Sequence, residues 1–247
     1  MLTNQTMDQL IKMKLSGMSD AYRQQLDNPE ILALNFDERF GMIVEKEYLS
    51  RQNRQVQRLL AGARLKLPAC IEDIDYLKPR DIDRNTIARL STCQWIQLHQ
   101  NVVVIGPTGV GKTYISCALG NLACRNGIST RYYRISKLLS EISMSRGDGS
   151  YVNLLNMLRK VKLLILDDWG IGRFTAMESQ EILEVIEDRT GSTSTIIVSQ
   201  IPLEYWHDFL TDPTIADAIL DRLVHNAHKI KINGDSMRKI QGEKELT

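Results

Sequence analysis

Residues 101–119 read NVVVIGPTGVGKTYISCAL, and that order decides the fold. An apolar run, Val102–Ile105, leads into Gly106–Thr113, GPTGVGKT, and then into a helical pattern, Tyr114–Ala123. The octet is a full match to GxxxxGK[ST], and a strand before it with a helix after it is the context that gives the motif its meaning. Gly106, Gly109 and Gly111 let the backbone turn inward so that successive N–H groups surround phosphates. Pro107, Thr108 and Val110 fill the remaining places of the cradle. Lys112 reaches the β- and γ-phosphates, and the Thr113 hydroxyl is a ligand for Mg²⁺. The dipole of the following helix adds attraction for the anion. An incidental glycine turn is the bland alternative, and eight matching residues in the right context speak against it.

Some fifty residues on comes KVKLLILDDWG. Leu163–Leu166 read as a buried strand that ends in Asp167 and Asp168. A carboxylate at the C-terminal edge of a parallel strand beside the phosphate loop is where a Mg²⁺-holding group belongs. Asp167 takes that role through the metal's water shell, and Asp168 orients or deprotonates the attacking water. The alternative for Asp168 is a turn cap. The next strand, Thr195–Ser199, ends in Ser199 and Gln200, polar residues that would contact the γ-phosphate or the lytic water if this strand neighbours the Asp167 strand.

These strands and Thr130–Arg134 alternate with helical patterns such as Met177–Thr190, which predicts a parallel sheet covered on both faces. Residues up to about Lys66 read as helix throughout, interrupted at Pro29, with Asn35 and Glu38 spaced as a capping box. Residues 67–98, with Pro68 and Pro79, read as a connector lying along a folded body. The chain of 247 residues carries a formal net charge of +1, so any nucleic-acid surface must come from local segregation of charge. Its four cysteines have no CxxC spacing, which argues against zinc and, by their scatter, for a reducing compartment. The N-terminal stretch lacks the apolar core of a signal peptide, and no apolar run approaches a membrane span. A cytoplasmic protein with no membrane partner is expected.

With these residues assembled, the sequence resembles the DnaC/IstB branch of the AAA+ ATPases, and most of all the IstB-type helper ATPases of bacterial insertion sequences. The segments that carry the likeness are NVVVIGPTGVGKTYISCALGNLA, LLILDDWG, RQVQRLLAGARLKLPACIEDIDY and the C-terminal INGDSMRK. The resemblance implies an α/β fold, an AAA+ αβα sandwich with a parallel sheet, an N-terminal helical domain and a short C-terminal helical lid. The corresponding spans are 1–66 for the helical domain, 67–98 for the linker, 99–210 for the ATPase core and 211–247 for the lid. It further implies ATP and Mg²⁺ as cofactors and ATP-dependent assembly as a homo-oligomer on double-stranded DNA. The partner it implies is the transposase of the same element, in a bacterial cytoplasm, on the nucleoid when bound to DNA. Gly106–Thr113 match Walker A, Asp167–Asp168 Walker B and Ser199–Gln200 sensor 1. Arg222, in DAILDRLVH, matches the arginine that reaches a neighbouring subunit's site, and Arg238, in GDSMRK, the sensor 2 arginine. Many AAA+ proteins have Asp-Glu in Walker B where this chain has Asp-Asp, which puts fast turnover in question while leaving binding intact. The alternatives are a salt bridge to Asp217 or Asp221 for Arg222, and a loosely ordered tail for Arg238.

Two basic stretches are candidates for DNA. Arg51, Arg54 and Arg58 share one helix face, with no acid from Arg51 to Lys66, a pattern suited to backbone phosphates. Between Arg131 and Lys162 the bases, Arg134 among them, outnumber the acids, and Lys137 and Arg146 are the candidate backbone contacts there. No base-reading motif is present, so DNA contact without sequence choice is expected. A replicative helicase loader is the second reading within the family, and a small-molecule kinase the reading from another class.

Overall fold

The structure, a computed structural model, describes residues 2–76 and 81–237. The chain divides into two compact units, Met1–Arg58 and Leu59–Thr247. Among the described residues no helix is long and apolar enough to cross a membrane.

The first unit is helical: α1 (Leu2–Lys12), α2 (Ser16–Asp27), α3 (Pro29–Leu32) and most of α4 (Phe36–Ala63). Local chemistry sets its breaks. Asn28 accepts the Glu30 N–H at 3.0 Å and starts α3 with Pro29 in the first turn. Asn35 and Glu38 form the expected reciprocal pair at the start of α4, at 2.9 and 3.2 Å. Glu47, in the middle of α4, accepts the Gly17 and Met18 N–H groups at 2.8 and 3.2 Å and so satisfies the open start of α2. A Cβ on Gly17 would fall 2.8 Å from the Glu47 Cα, so glycine is what permits that approach.

The second unit begins within α4, continues through α5 (Arg84–Ser91) and α6 (Gln94–Gln97), and then builds an αβα sandwich. Its strands are β1 (Asn101–Ile105), β2 (Thr130–Arg134), β3 (Leu163–Trp169), β4 (Ser194–Ser199) and β5 (Ala227–Lys231). They form one five-stranded sheet in the order β2-β3-β4-β1-β5, with every pairing parallel. The intervening helices are α7 (Lys112–Arg125), α8 (Ile135–Asp148), α9 (Tyr151–Lys160), α10 (Ala176–Arg189) and α11 (Pro213–Val224), with a 3-10 turn at Leu203–Phe209.

Alternation along the strands feeds two cores. Val102, Val104, Leu163, Ile165, Ile196 and Val198 face one side, where they meet α5, α6 and α7 through Ile87, Leu90, Trp95, Ile115 and Leu119. Val103, Leu164, Leu166 and Ile197 face the other, against α8 to α11. Residues 67–98 therefore differ from a simple connector. Ala69, Ile74, Ile87, Leu90, Trp95 and Ile96 are buried members of the first core. Sequence reading also lacked β5. The AHKIK strand lies within the span expected as a lid, carries charge on every second or third residue and pairs only at the sheet edge, where such charge is usual.

Arg189 holds the far end of the sandwich. It is 2% exposed, and its guanidinium donates to the carbonyls of Leu158, Val161 and Ser194 and to the Thr195 hydroxyl. Burial lowers its pKa to about 9, which leaves it protonated at neutral pH. Arg189→Leu would strand three carbonyls, so a loss of about 3 kcal/mol or more is expected. Chemical denaturation checks this, and a variant as stable as the parent would show that the carbonyls find other partners.

Candidate functional site

The cleft lies at the C-terminal edge of β1, β3 and β4. Chain reversal after β1 depends on glycine: Gly111 has φ of +103° at the start of α7, a conformation side chains disfavour. Gly106 is needed for room, because a Cβ there would meet the Ile232 carbonyl oxygen at 2.1 Å. The C-terminal segment continues over the loop, where the Met237 N–H donates to the Gly109 carbonyl at 2.9 Å. Lys112 is buried and its ammonium donates to the Pro107 carbonyl at 2.7 Å, so the loop is folded around its own lysine. The Thr108 hydroxyl bonds to Gln200, which ties the loop to the end of β4.

Strict alternation would send Asp167 and Asp168 to opposite faces of the sheet. A bulge prevents this. Leu166 pairs with Ile197 and Trp169 with Ser199, so β3 spends one residue more than β4, and Asp168 takes φ of +65°. Both carboxylates line one cleft of about 770 Å³, together with Thr108, Gly109, Gly111, Lys112, Thr113 and Gln200. That volume lies within the range of small-ligand pockets.

Asp167 is 2% exposed and densely bonded. Its Oδ1 accepts the Asp168 N–H at 2.8 Å. Its Oδ2 accepts the Thr113 hydroxyl at 2.9 Å and the Tyr132 hydroxyl at 2.7 Å. Burial first, and then the hydrogen bond to Asp167, push the Tyr132 phenol above the ordinary tyrosine range, so it stays a donor. Asp168 pairs with Arg134, at the end of β2, at 3.5 Å. The oxygen pair of Thr113 and Asp167 fits a hard divalent cation such as Mg²⁺, and the loop fits a phosphate chain.

Tyr132, Arg134 and Lys66 belong to this site, a place that sequence reading did not assign to them. Tyr132 reads as a core aromatic, which it is, apart from the hydroxyl. Arg134 reads as one of a basic stretch. Leu67, Asp73, Ile74 and Asp75 of the expected connector also line the cleft; their segment was among those that carry the family likeness, but nothing in it pointed to a nucleotide.

Other candidates sit elsewhere. Ser199 is fully buried, donating to the Trp169 carbonyl at 2.9 Å and accepting the Ile201 N–H at 3.0 Å, so its hydroxyl ties β4 to β3. Arg222 lies near the C-terminal end of α11, and its carbonyl accepts from Asn101 at the start of β1. Its guanidinium pairs with Glu187 at 2.7 Å and not with Asp217 or Asp221. Arg238 falls outside the described residues. Arg51 and Arg54 both bind Glu47, at 2.8 and 3.2 Å, an acid one turn before the span whose freedom from acids drew attention to them. Arg146 pairs with Glu181 at 3.0 Å and covers the Tyr151 ring at 4.1 Å. Among the described residues no ion pair engages the exposed Arg58 or Lys137.

Fold and motif together define a P-loop ATP-binding protein of the AAA+ type. The chain belongs to the family of IstB-like ATP-binding proteins, whose model matches residues 8–245. An insertion-sequence ATP-binding protein of Sinorhizobium fredii is 43% identical over 244 residues, 99% of this chain and 100% of that protein. The crystal structure of DnaI superposes with a TM-score of 0.57 at 21% identity, covering 73% of this chain and 92% of that one. That of the DnaC helicase loader does so at 0.53 and 18%, covering 66% and 96%. These two likenesses show the fold.

Tyr132→Phe is expected to weaken binding of the Mg²⁺ nucleotide about fivefold, the equivalent of one net hydrogen bond of about 1 kcal/mol. Calorimetric titration measures it. Unchanged affinity would mean that Asp167 keeps its orientation without the phenol.

Proposed function

We propose that this protein is an ATP-dependent regulator of transposition that oligomerises on duplex DNA, recruits and activates the transposase of its element, and is reset by ATP hydrolysis. What carries the reading is the nearly end-to-end match to an insertion-sequence ATP-binding protein, in a chain whose cleft keeps the residue types that ATP demands. Its place of action is the bacterial cytoplasm, on nucleoid DNA when assembled.

Lys112 and the backbone of Gly106–Thr113 hold the phosphates, and Thr113 and Asp167 hold Mg²⁺, which when bound neutralises the developing phosphate charge. Asp168 orients the attacking water. Its pairing with Arg134 fixes the carboxylate, and release from that arginine frees it to accept a proton. Gln200, reaching the loop through Thr108, is the sensor position, with Ser199 holding the strand end beneath it. Arg238 is assigned to sensor 2 from sequence alone.

Arg222 supports supply in trans. It sits at the start of β1, while the phosphate loop follows the strand's end, about 16 Å away for five residues. An arginine side chain does not span that distance, so the residue serves a second copy of the chain or none. The helical residues 1–66 are assigned to DNA and partner contact, with Arg58 and Lys137 the candidate cations that no ion pair engages among the described residues and Arg51, Arg54 and Arg146 able to add contacts only in competition with Glu47 and Glu181. A helicase loader is the second reading, favoured by the likeness to the DnaC loader, but that likeness concerns the fold. The family match leaves the kinase reading without support.

Sedimentation with duplex DNA tests the proposal. A large complex is expected with ATP and not with ADP or without nucleotide; a monomer in all three conditions would point to the loader. Lys112→Ala should abolish nucleotide binding and the DNA complex together. Arg222→Ala should leave ATP binding by the monomer intact while DNA-stimulated hydrolysis falls by about 10³-fold, the scale of a trans arginine. Hydrolysis at the parental rate would remove Arg222 from the site.

A further inference from the structure

A second lysine enters the cleft from a distant part of the sequence. The Lys66 ammonium stands 3.9 Å from Asp167 Oδ2, the oxygen that also takes the Thr113 and Tyr132 hydroxyls. Its position is set from both sides. Leu65 packs so closely on α7 that a Cβ on Gly120 would meet its Cδ2 at 3.0 Å. The backbone N–H groups of Lys66 and Leu67 are directed at the buried Cys117 sulfur, one turn along the same helix from Thr113. The side chain is 26% exposed, whereas Asp167 is 2% exposed. A carboxylate so buried needs a positive partner, and Lys66 is the cation paired with it among the described residues.

We propose that Lys66 is the counter-ion of Asp167 in the nucleotide-free protein and competes with the divalent cation for that carboxylate. Two hydroxyl donors on that oxygen and an ammonium at 3.9 Å from it already fill the side from which a cation, or the water shell of one, would approach. Lys66 must therefore give up Asp167 when Thr113 and Asp167 hold Mg²⁺. With the phosphates held by Lys112 and the loop backbone in the proposed function, Lys66 adds nothing to phosphate affinity once the metal is present. The inference rests on the reading of Thr113 and Asp167 as the metal-holding pair.

The test is the Mg²⁺ dependence of binding of a fluorescent ADP analogue, read by anisotropy, with melting in EDTA as a second readout. Lys66→Met keeps the aliphatic stem and removes the charge. The Mg²⁺ midpoint should fall about tenfold, the nucleotide affinity at saturating Mg²⁺ should stay within twofold, and the melting temperature in EDTA should drop. Lys66→Arg should behave like the parent. If the methionine chain does not fold, Lys66→Gln is read in the same way. An unmoved midpoint, or weaker nucleotide binding at saturating Mg²⁺, overturns the proposal; the second result would make Lys66 a phosphate ligand. Asp167→Asn in the parent separates the premises. Should Mg²⁺ dependence survive in that variant, the metal-site reading itself fails, whatever Lys66 does.

Discussion

A carboxylate that is 2% exposed costs several kcal/mol unless donors or a counter-ion surround it, and at Asp167 three donors and one ammonium come from four separate stretches of chain. Thr113 arrives on α7, Tyr132 on β2, the Asp168 N–H from the bulge of β3, and Lys66 from the segment after α4. Each group is fixed by packing that has nothing to do with a ligand: Tyr132 by the first core, Lys66 by Leu65 on Gly120. The sandwich therefore does more than display a phosphate loop. It converts several independent packing choices into one polar junction at the C-terminal edge of the sheet, and the rest of the cleft is arranged around it.

The bulge has the same character. A regular β3 would deliver one acid to the cleft and bury the other against α8 and α10. One extra residue, with Asp168 in the left-handed region, places both in the same space. Backbone strain of that kind costs on the order of 1–3 kcal/mol. The Asp168 N–H bond to Asp167 and the flanking Trp169, fully buried against Phe174 and Trp206, offset it. Acid geometry and aromatic packing at this point cannot be altered separately.

Sequence carried the fold wherever a pattern was local. The phosphate loop, four of the strands, the parallel sheet they form and the cap at Asn35 all follow from short-range spacing, whereas the neighbourhood of β4 and β3 entered only as a condition. It was blind where the determinant was a distant partner. Glu47 lies just outside the acid-free window, so Arg51 and Arg54 read as free when they are engaged. Residues 67–75 fall in a segment that carries the family likeness but no chemical motif, and the approach of Cys117, Tyr114 and Arg125 with the burial of Ala69 and Ile74 makes them a wall of the cleft. The Tyr132 hydroxyl is invisible because periodicity reports the ring and says nothing of the oxygen. Arg222 was given two acidic neighbours in sequence, and the fold brings it a third, Glu187, from α10.

Charge in the cleft constrains how a nucleotide binds there. Among the described residues the lining holds Lys66, Lys112 and Arg134 beside Asp73, Asp75, Asp167 and Asp168, so charges of both signs face the ligand. Loop N–H groups and the α7 dipole supply part of the attraction at the phosphate end. A cation brought with the ligand would add to that attraction, since Lys66 and Arg134 are each paired with an acid of the cleft, Asp167 and Asp168. Nucleotide and metal are thus coupled by electrostatics before any chemistry. The two paired cations, Lys66 and Arg134, reduce the repulsion between the neighbouring acids Asp167 and Asp168.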